Sequence, residues 1–233
     1  MKSDIIYTIK RSKRKTISIS ISAEGKVTIS CPLRTSDETV QRIVEEKKSW
    51  INKKLNEMNN RPKQKEHSFI SGECFMLFGQ KFLLRVVPTD NIARANTVHL
   101  LEAEQIIEVY CTPDAQNKSV RESLLKWYIH QLDCVINKRF EHFSKLLQVS
   151  PKKVYVKELK SCWGSCSSKG SISINWRLIM APPHILDYII VHELCHMKEM
   201  NHSEKFWRLV ESVYPDYKQA RAWLKKNSRM LVF

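Results

Sequence analysis

The residues best suited to chemistry lie in one short run, "VHELCHMKEMNH", from Val191 to His202. On a helix, residues four apart sit about 6 Å along the axis and roughly 40° around it, so His192 and His196 project from one face. Each can offer an imidazole nitrogen to a single Zn2+ at about 2.0–2.1 Å. Glu193 is rotated about 100° from His192, too far for a comfortable third ligand but suited to a carboxylate holding a metal-bound water. This is the H-E-x-x-H arrangement. A short match arises by chance often enough that its setting has to support it, and here most residues from Ile185 to Leu194 are aliphatic or aromatic. Imidazoles and a carboxylate buried in such a helix carry a desolvation cost of several kcal/mol, which a metal ion would offset.

A third ligand has to come from beyond His196. In a continuing helix His202 would point about 240° away and about 9 Å further along, so it joins the pair only if the helix stops. Asn201 suits a left-handed terminus and Ser203 suits the cap of a following helix, so His202 is expected in a tight turn that folds back. Glu204, Glu211 and Asp216 compete for the third position. His202 is preferred, because imidazole suits zinc and the turn chemistry points to it. Three imidazoles with an open fourth position describe a catalytic zinc site rather than a closed structural one. Zinc would bring the pKa of its water down toward about 7 and polarise a scissile carbonyl. Glu193 would take the water's proton as general base and later deliver it to a leaving amine. Cys195, about 100° from His196, reads as a core cysteine.

The elements that must position these side chains read as an α+β chain. "KTISISISAEGKVTISCP" alternates apolar and polar residues around a turn that Gly25 can complete. Thr35 and Glu38 have capping-box spacing ahead of a helix with Val40, Ile43, Val44, Ile51, Leu55 and Met58 on one stripe. "NNRPKQKEHS" is a loop. From Phe69 to about Thr112 the pattern is β again, with Gly79 in a hairpin turn. Ser119 and Glu122 form a second capping box, opening a long helix through Leu125, Ile129, Leu132, Ile136, Phe140 and Leu147. "KKVYVKEL" and "SISINWRL" read as strands separated by the loop "KSCWGSCSSKG", and "APPHILDYIIVHELCHMKEMN" as a helix begun by prolines. Ser203 caps one more helix, running to about Tyr214. A boundary is expected near 113 to 118, dividing a β-rich domain of residues 1–115 from an α+β domain of residues 116–233.

The chain has 233 residues and a formal charge of +15. That balance favours polyanionic partners such as nucleic acid or phosphorylated molecules, and equally describes a solvated basic surface. The excess is conspicuous in "KRSKRK" and in "RPKQK" at 61–65. No run approaches the roughly 20 apolar residues of a membrane span, and the first residues lack an apolar signal core, so a cytoplasmic protein is expected. Seven cysteines then read as reduced thiols. Cys162 and Cys166 have no second pair at zinc-ribbon spacing.

At "CWGSCSSKGSISINWRLIMAPPHILDYIIVHELCHMKEMNHSEKFW", Cys162 to Trp207, the sequence resembles the YgjP-like (DUF45) group of metal-dependent hydrolases, near the M48 and SprT/WLM zinc peptidases. "RSKRKTISISI" and "SGECFMLFGQKFLLRV" extend the likeness over most of the chain. The resemblance implies zinc on His192, His196 and His202 with Glu193 as base. It also implies a zincin-like C-terminal fold in which a strand, Ser171 to Leu178 here, lies beside the active-site helix and offers an edge to an extended substrate. Cys162 departs from the pattern by standing where an arginine is expected. Glu199 stands where the similarly spaced metzincins turn on glycine, so the chain is not read as one of them. Trp163, Ser165, Asn175 and Trp176 are candidates for lining the cleft, with core packing an equal reading for the tryptophans. Tyr188, one turn before His192 on its face, is read first as packing and second as a group that could help stabilise an oxyanion. The function expected is a zinc-dependent hydrolase of peptide or protein substrates. Proteins on nucleic acid are included among those targets. The alternatives are a metal-dependent nucleotide or phosphoanhydride hydrolase, with basic side chains clamping phosphates, and a nucleic-acid-associated module whose zinc is structural.

Overall fold

Period-two patterning needs one apolar face to bury, and the first strands have it. A computed structural model describes residues 5–22, 25–59, 67–114 and 117–233, with the side chains of 57–59 left out. The chain divides into two compact units, Met1–Lys65 and Glu66–Phe233. In the first, β1 (Tyr7–Ser12), β2 (Ser18–Ile21) and β3 (Val27–Pro32) form a sheet of order β1-β3-β2, with β1 parallel and β2 antiparallel to β3. Gly25 takes the positive φ expected of it, 80°, while residues 23 and 24 lie outside the described ones. The long stripe after Thr35 gives two helices, α1 (Asp37–Glu46) and α2 (Lys48–Asn59), with the backbone breaking at Lys47. Ser36 rather than Thr35 is the cap, its Oγ accepting from the Thr39 N–H at 3.3 Å. Val27, Ile29, Cys31, Val40, Val44 and Ile51 make this unit's core. "RPKQK" and the Met58 side chain are outside the described residues.

The second unit opens with β4 (Cys74–Leu77), β5 (Gln80–Pro88), β6 (Val98–Leu101) and β7 (Ile106–Cys111), in the order β4-β5-β7-β6. Gly79 closes the β4–β5 hairpin at φ 81°. The turn is seated on the segment ahead of the histidine helix. Phe78 and Gly79 donate their N–H groups to the carbonyls of Ile179 and Met180 at 2.7 and 3.1 Å. A β-carbon on Gly79 would come within 2.8 Å of the Pro182 ring, so only glycine fits.

α3 (Asn117–Leu147) crosses this sheet. It begins two residues before the expected cap, Ser119, whose hydroxyl instead donates to Asn96 Oδ1 at 3.0 Å. Val120, Leu124, Tyr128, Leu132, Ile136 and Phe140 form its buried stripe, so Leu125 and Ile129 sit at the margin rather than the centre. Sheet residues Phe75, Leu84 and Ile107, helix residues Leu124 and Leu132, and Ile185 and Leu194 of the histidine helix all belong to one core. The change near residue 115 is therefore a change of element type inside a single core, and the compact units part at 65/66 instead.

A second sheet of order β8-β10-β9 supports the histidine helix. It comprises β8 (Lys153–Lys157), β9 (Gly164–Cys166) and β10 (Ser171–Asn175). Two expectations are corrected here. The strand expected to run to Leu178 ends at Asn175 and passes into a 3-10 turn, Trp176–Met180, because Asn175 accepts from the Arg177 N–H and caps that turn. It is also central, parallel to β8 and antiparallel to β9, so it offers no open edge. The edge near the histidines belongs to β9, which lies in the stretch expected to be a loop. α4 (Pro183–Cys195), α5 (Glu204–Val213) and α6 (Tyr217–Asn227) complete the unit. No helix among the described residues is long and apolar enough to cross a membrane.

Candidate metal centre

The histidine helix starts where its prolines predict, with Pro183 at its first turn. Its apolar residues pack on all sides. Ile185, Ile190, Val191, Leu194 and Cys195 are inaccessible to solvent. Two ties fix its setting: Arg139 of α3 pairs with Asp187, and Tyr214 at the end of α5 donates its hydroxyl to the His184 carbonyl at 2.8 Å.

α4 stops at Cys195, and a turn of chain brings residue 202 back. Ser203 then caps α5, its Oγ accepting from the Phe206 N–H at 3.4 Å. The capped helix places Phe206 against all three imidazoles, with ring centres 4.5–4.9 Å from those of His192, His196 and His202. His192 and His196 are half-buried and His202 is exposed.

Three ring nitrogens, one from each histidine, lie within 4.8 Å of one another, and His192 and His202 approach to 3.0 Å between Nε2 atoms. Two nitrogens bound to one tetrahedral zinc are about 3.3 Å apart, so the rings stand close to the spacing that a shared ion requires. Their outer nitrogens have partners of their own. His196 Nδ1 lies 3.1 Å from the Glu199 carbonyl and His192 Nδ1 lies 3.5 Å from Tyr188 Oη. Such partners fix the ring orientation and leave the Nε2 lone pairs for a metal. Burial first, then the neighbouring His196, His202 and Arg221, hold His192 neutral down to about 3. Neutral imidazole is the form that binds a metal. The donor set fits a divalent ion.

Among the described residues no other group of histidine, cysteine or carboxylate side chains is placed to hold a metal. The competing carboxylates are engaged elsewhere: Glu204 with Arg208, Glu211 with Lys218 at 3.3 Å, and Asp216 with the Gln219 amide at 3.0 Å. Glu193 is 4% exposed, and burial pushes its pKa up to about 7. It lines a cavity of about 300 Å3 with Cys162, Trp163, Gly164, Tyr188, His192 and Arg221. A carboxylate poised near neutrality in a cleft is fit to take and return protons.

Of the cleft candidates, Trp163 lines the cavity and Ser165 is exposed on β9. Trp176 is in the core. Asn175 is buried and donates its amide to the carbonyls of Leu159 and Cys162 at 2.8 and 3.1 Å, so it holds the chain that leads into β9 rather than lining the cleft. Tyr188 combines packing with the contact to His192. Sequence reasoning missed Gly164 and Arg221. Gly164 abuts the Glu193 carboxylate, where a β-carbon would lie 2.6 Å from Oε1. Arg221 belongs to α6, which the apolar spacing of Tyr217, Ala220 and Leu224 could have revealed.

The family model described as YgjP-like, metallopeptidase domain matches residues 15–227. Among solved structures, the chain is similar to the metallopeptidase zymogen abylysin of Pyrococcus abyssi. That crystal structure is 28% identical, with 41% of this chain and 97% of that chain covered and a TM-score of 0.38. No curated protein matches.

Proposed function

The chain belongs to the YgjP-like metallopeptidase domain family, and from that premise we propose that it is a zinc-dependent peptidase. His192, His196 and His202 hold the ion and Glu193 is the general base. The observation that carries this reading is the convergence of three imidazoles beside a buried carboxylate with a raised pKa. A zinc ion bound there would supply the electrophile for a peptide carbonyl and acidify water. Glu193 takes a proton from the attacking water and hands it to the leaving nitrogen, a transfer suited to a carboxyl near neutrality. Phe206 and the outer partners of His192 and His196 keep the rings in register.

β9 supplies a place for an extended substrate. The Trp163 carbonyl accepts from the Asn175 N–H, and the Ser167 N–H donates to the Ser171 carbonyl, both at 2.9 Å. By the two-residue period of a strand, the backbone groups of Gly164 and Cys166 then face away from β10. A peptide paired with them would run past the Glu193 carboxylate, which Gly164 touches. This zincin-like use of an edge strand beside the histidine helix is part of the proposal.

The test is metal content and peptide cleavage measured on the same preparations. Glu193→Gln is expected to keep its zinc and lose cleavage by about 100-fold or more. His202→Ala is expected to lose zinc affinity. Undiminished cleavage by Glu193→Gln would remove the proposed base, and undiminished zinc affinity in His202→Ala would remove the third ligand.

A further inference from the structure

The cavity beside Glu193 is lined by one permanent cation. Arg221 reaches it from α6, alongside Tyr188, His192 and Glu193. Its guanidinium carbon lies 4.4 Å from the centre of the Trp207 ring, and that ring is stacked on His202. An aromatic platform holds the flat face of a guanidinium and leaves its N–H edge free to donate. No carboxylate among the described residues pairs with Arg221, whereas Arg139, Arg177 and Arg208 are paired with Asp187, Glu158 and Glu204.

Arg221 is exposed, so water screens its repulsion of a metal and leaves its charge available to an anion at the mouth of the cavity. Its presence beside three metal-ligating rings is explained if an anion joins them. The other strong polar donor on the cavity wall, the Tyr188 hydroxyl, lies 3.5 Å from His192 Nδ1, the outer nitrogen of that ring.

We propose that Arg221 is a catalytic residue that binds the negative oxygen developing on the substrate carbonyl during hydrolysis. The inference rests on the peptidase reading above. In the step concerned, the water oxygen bonds to the carbonyl carbon, Glu193 takes one proton, and the carbonyl π pair moves onto oxygen, where Arg221 donates to it. On collapse that pair re-forms the carbonyl, the C–N bond breaks, and the leaving nitrogen takes the proton back from Glu193. The products are a carboxylic acid, which ionises, and an amine. Donors fixed in place before charge develops are the arrangement that favours such a step.

The test titrates two probes into the zinc-loaded full chain and its Arg221→Ala and Arg221→Lys variants. Inorganic phosphate is a tetrahedral oxyanion, and acetohydroxamate is a ligand held chiefly by chelation of the metal itself. Phosphate affinity is expected to fall about tenfold or more in Arg221→Ala and less in Arg221→Lys. Zinc content should stay as in the wild type, and acetohydroxamate should lose less affinity than phosphate. On a peptide that the wild type cleaves, kcat is expected to fall about 100-fold in Arg221→Ala with little change in KM, whether the peptide's C-terminus is free or amidated.

Phosphate affinity indifferent to Arg221, with zinc and acetohydroxamate binding intact, overturns this proposal alone. A loss confined to KM and to peptides with a free carboxylate also overturns it, making Arg221 an anchor for the substrate's terminus. Failure to bind zinc or acetohydroxamate overturns the metal-centre reading and this proposal with it.

Discussion

Gly164 shows how closely single atoms are arranged around the proposed base, Glu193. A β-carbon there would lie 2.6, 2.7 and 2.8 Å from Glu193 Oε1, Cγ and Cδ, distances that real contacts do not reach. Gly164→Ala must therefore displace either the carboxylate or the β9 backbone. We expect it to lower kcat/KM about 10- to 100-fold, since small misplacements of a catalytic group cost that much, while zinc content stays at the wild-type level. A variant that cleaves peptides at the wild-type rate would show that this contact does not set the base. At this scale the histidines were legible because spacing along one helix encodes a shared face and Ser203 caps the helix that follows. Asn201 does not take the left-handed conformation expected of it: α4 has already ended at Cys195, and the Asn201 Oδ1 accepts from the Ser203 N–H at 3.2 Å. Gly164 and Arg221 meet Glu193 and Tyr188 from other elements, and no periodicity links such positions.

Among the elements, β9 is the one that patterning could not announce. It spans three residues, too few for an alternation to show, and what defines it is its partner β10. The chain entering it is held from the other side by Asn175, 3% exposed, whose amide bridges two carbonyls. Asn175→Ala leaves both acceptors without that donor and is expected to cost about 2–3 kcal/mol. Thermal unfolding would register the loss, and faster amide exchange across 163–166 would place it. An unchanged melting temperature would argue that the amide is dispensable. The long helices were plain from their apolar repeat. Their first turns were less so: Ser36 caps α1 beside the expected Thr35, and Ser119 serves Asn96 instead of its own helix. Local spacing proposes a cap, and tertiary partners decide which hydroxyl is free to act as one.

For the whole molecule, the two compact units have separate cores, and the candidate centre belongs to the second. A ligand that binds only the folded form stabilises it by about 4 kcal/mol when its free concentration is about 1,000 times its dissociation constant. Stripping the proposed metal with a chelator is therefore expected to quicken amide exchange in α4 and residues 196–202 and to leave β3 and α1 unchanged. Equal effects on both would mean that the metal acts elsewhere. The α+β class was evident from composition and periodicity. The partition at 65/66 was not, because the switch from strands to helices near residue 115 looks in one dimension like a domain edge. The hairpin turn at Gly79 makes that difference practical. A polypeptide trimmed to residues 117–233 would keep every liganding ring yet lose the buttress under the prolines that launch α4. It would also bare the apolar face that α3 turns to the lost sheet and is expected to aggregate, so the shortest folded piece has to reach back through the hairpin that turns at Gly79.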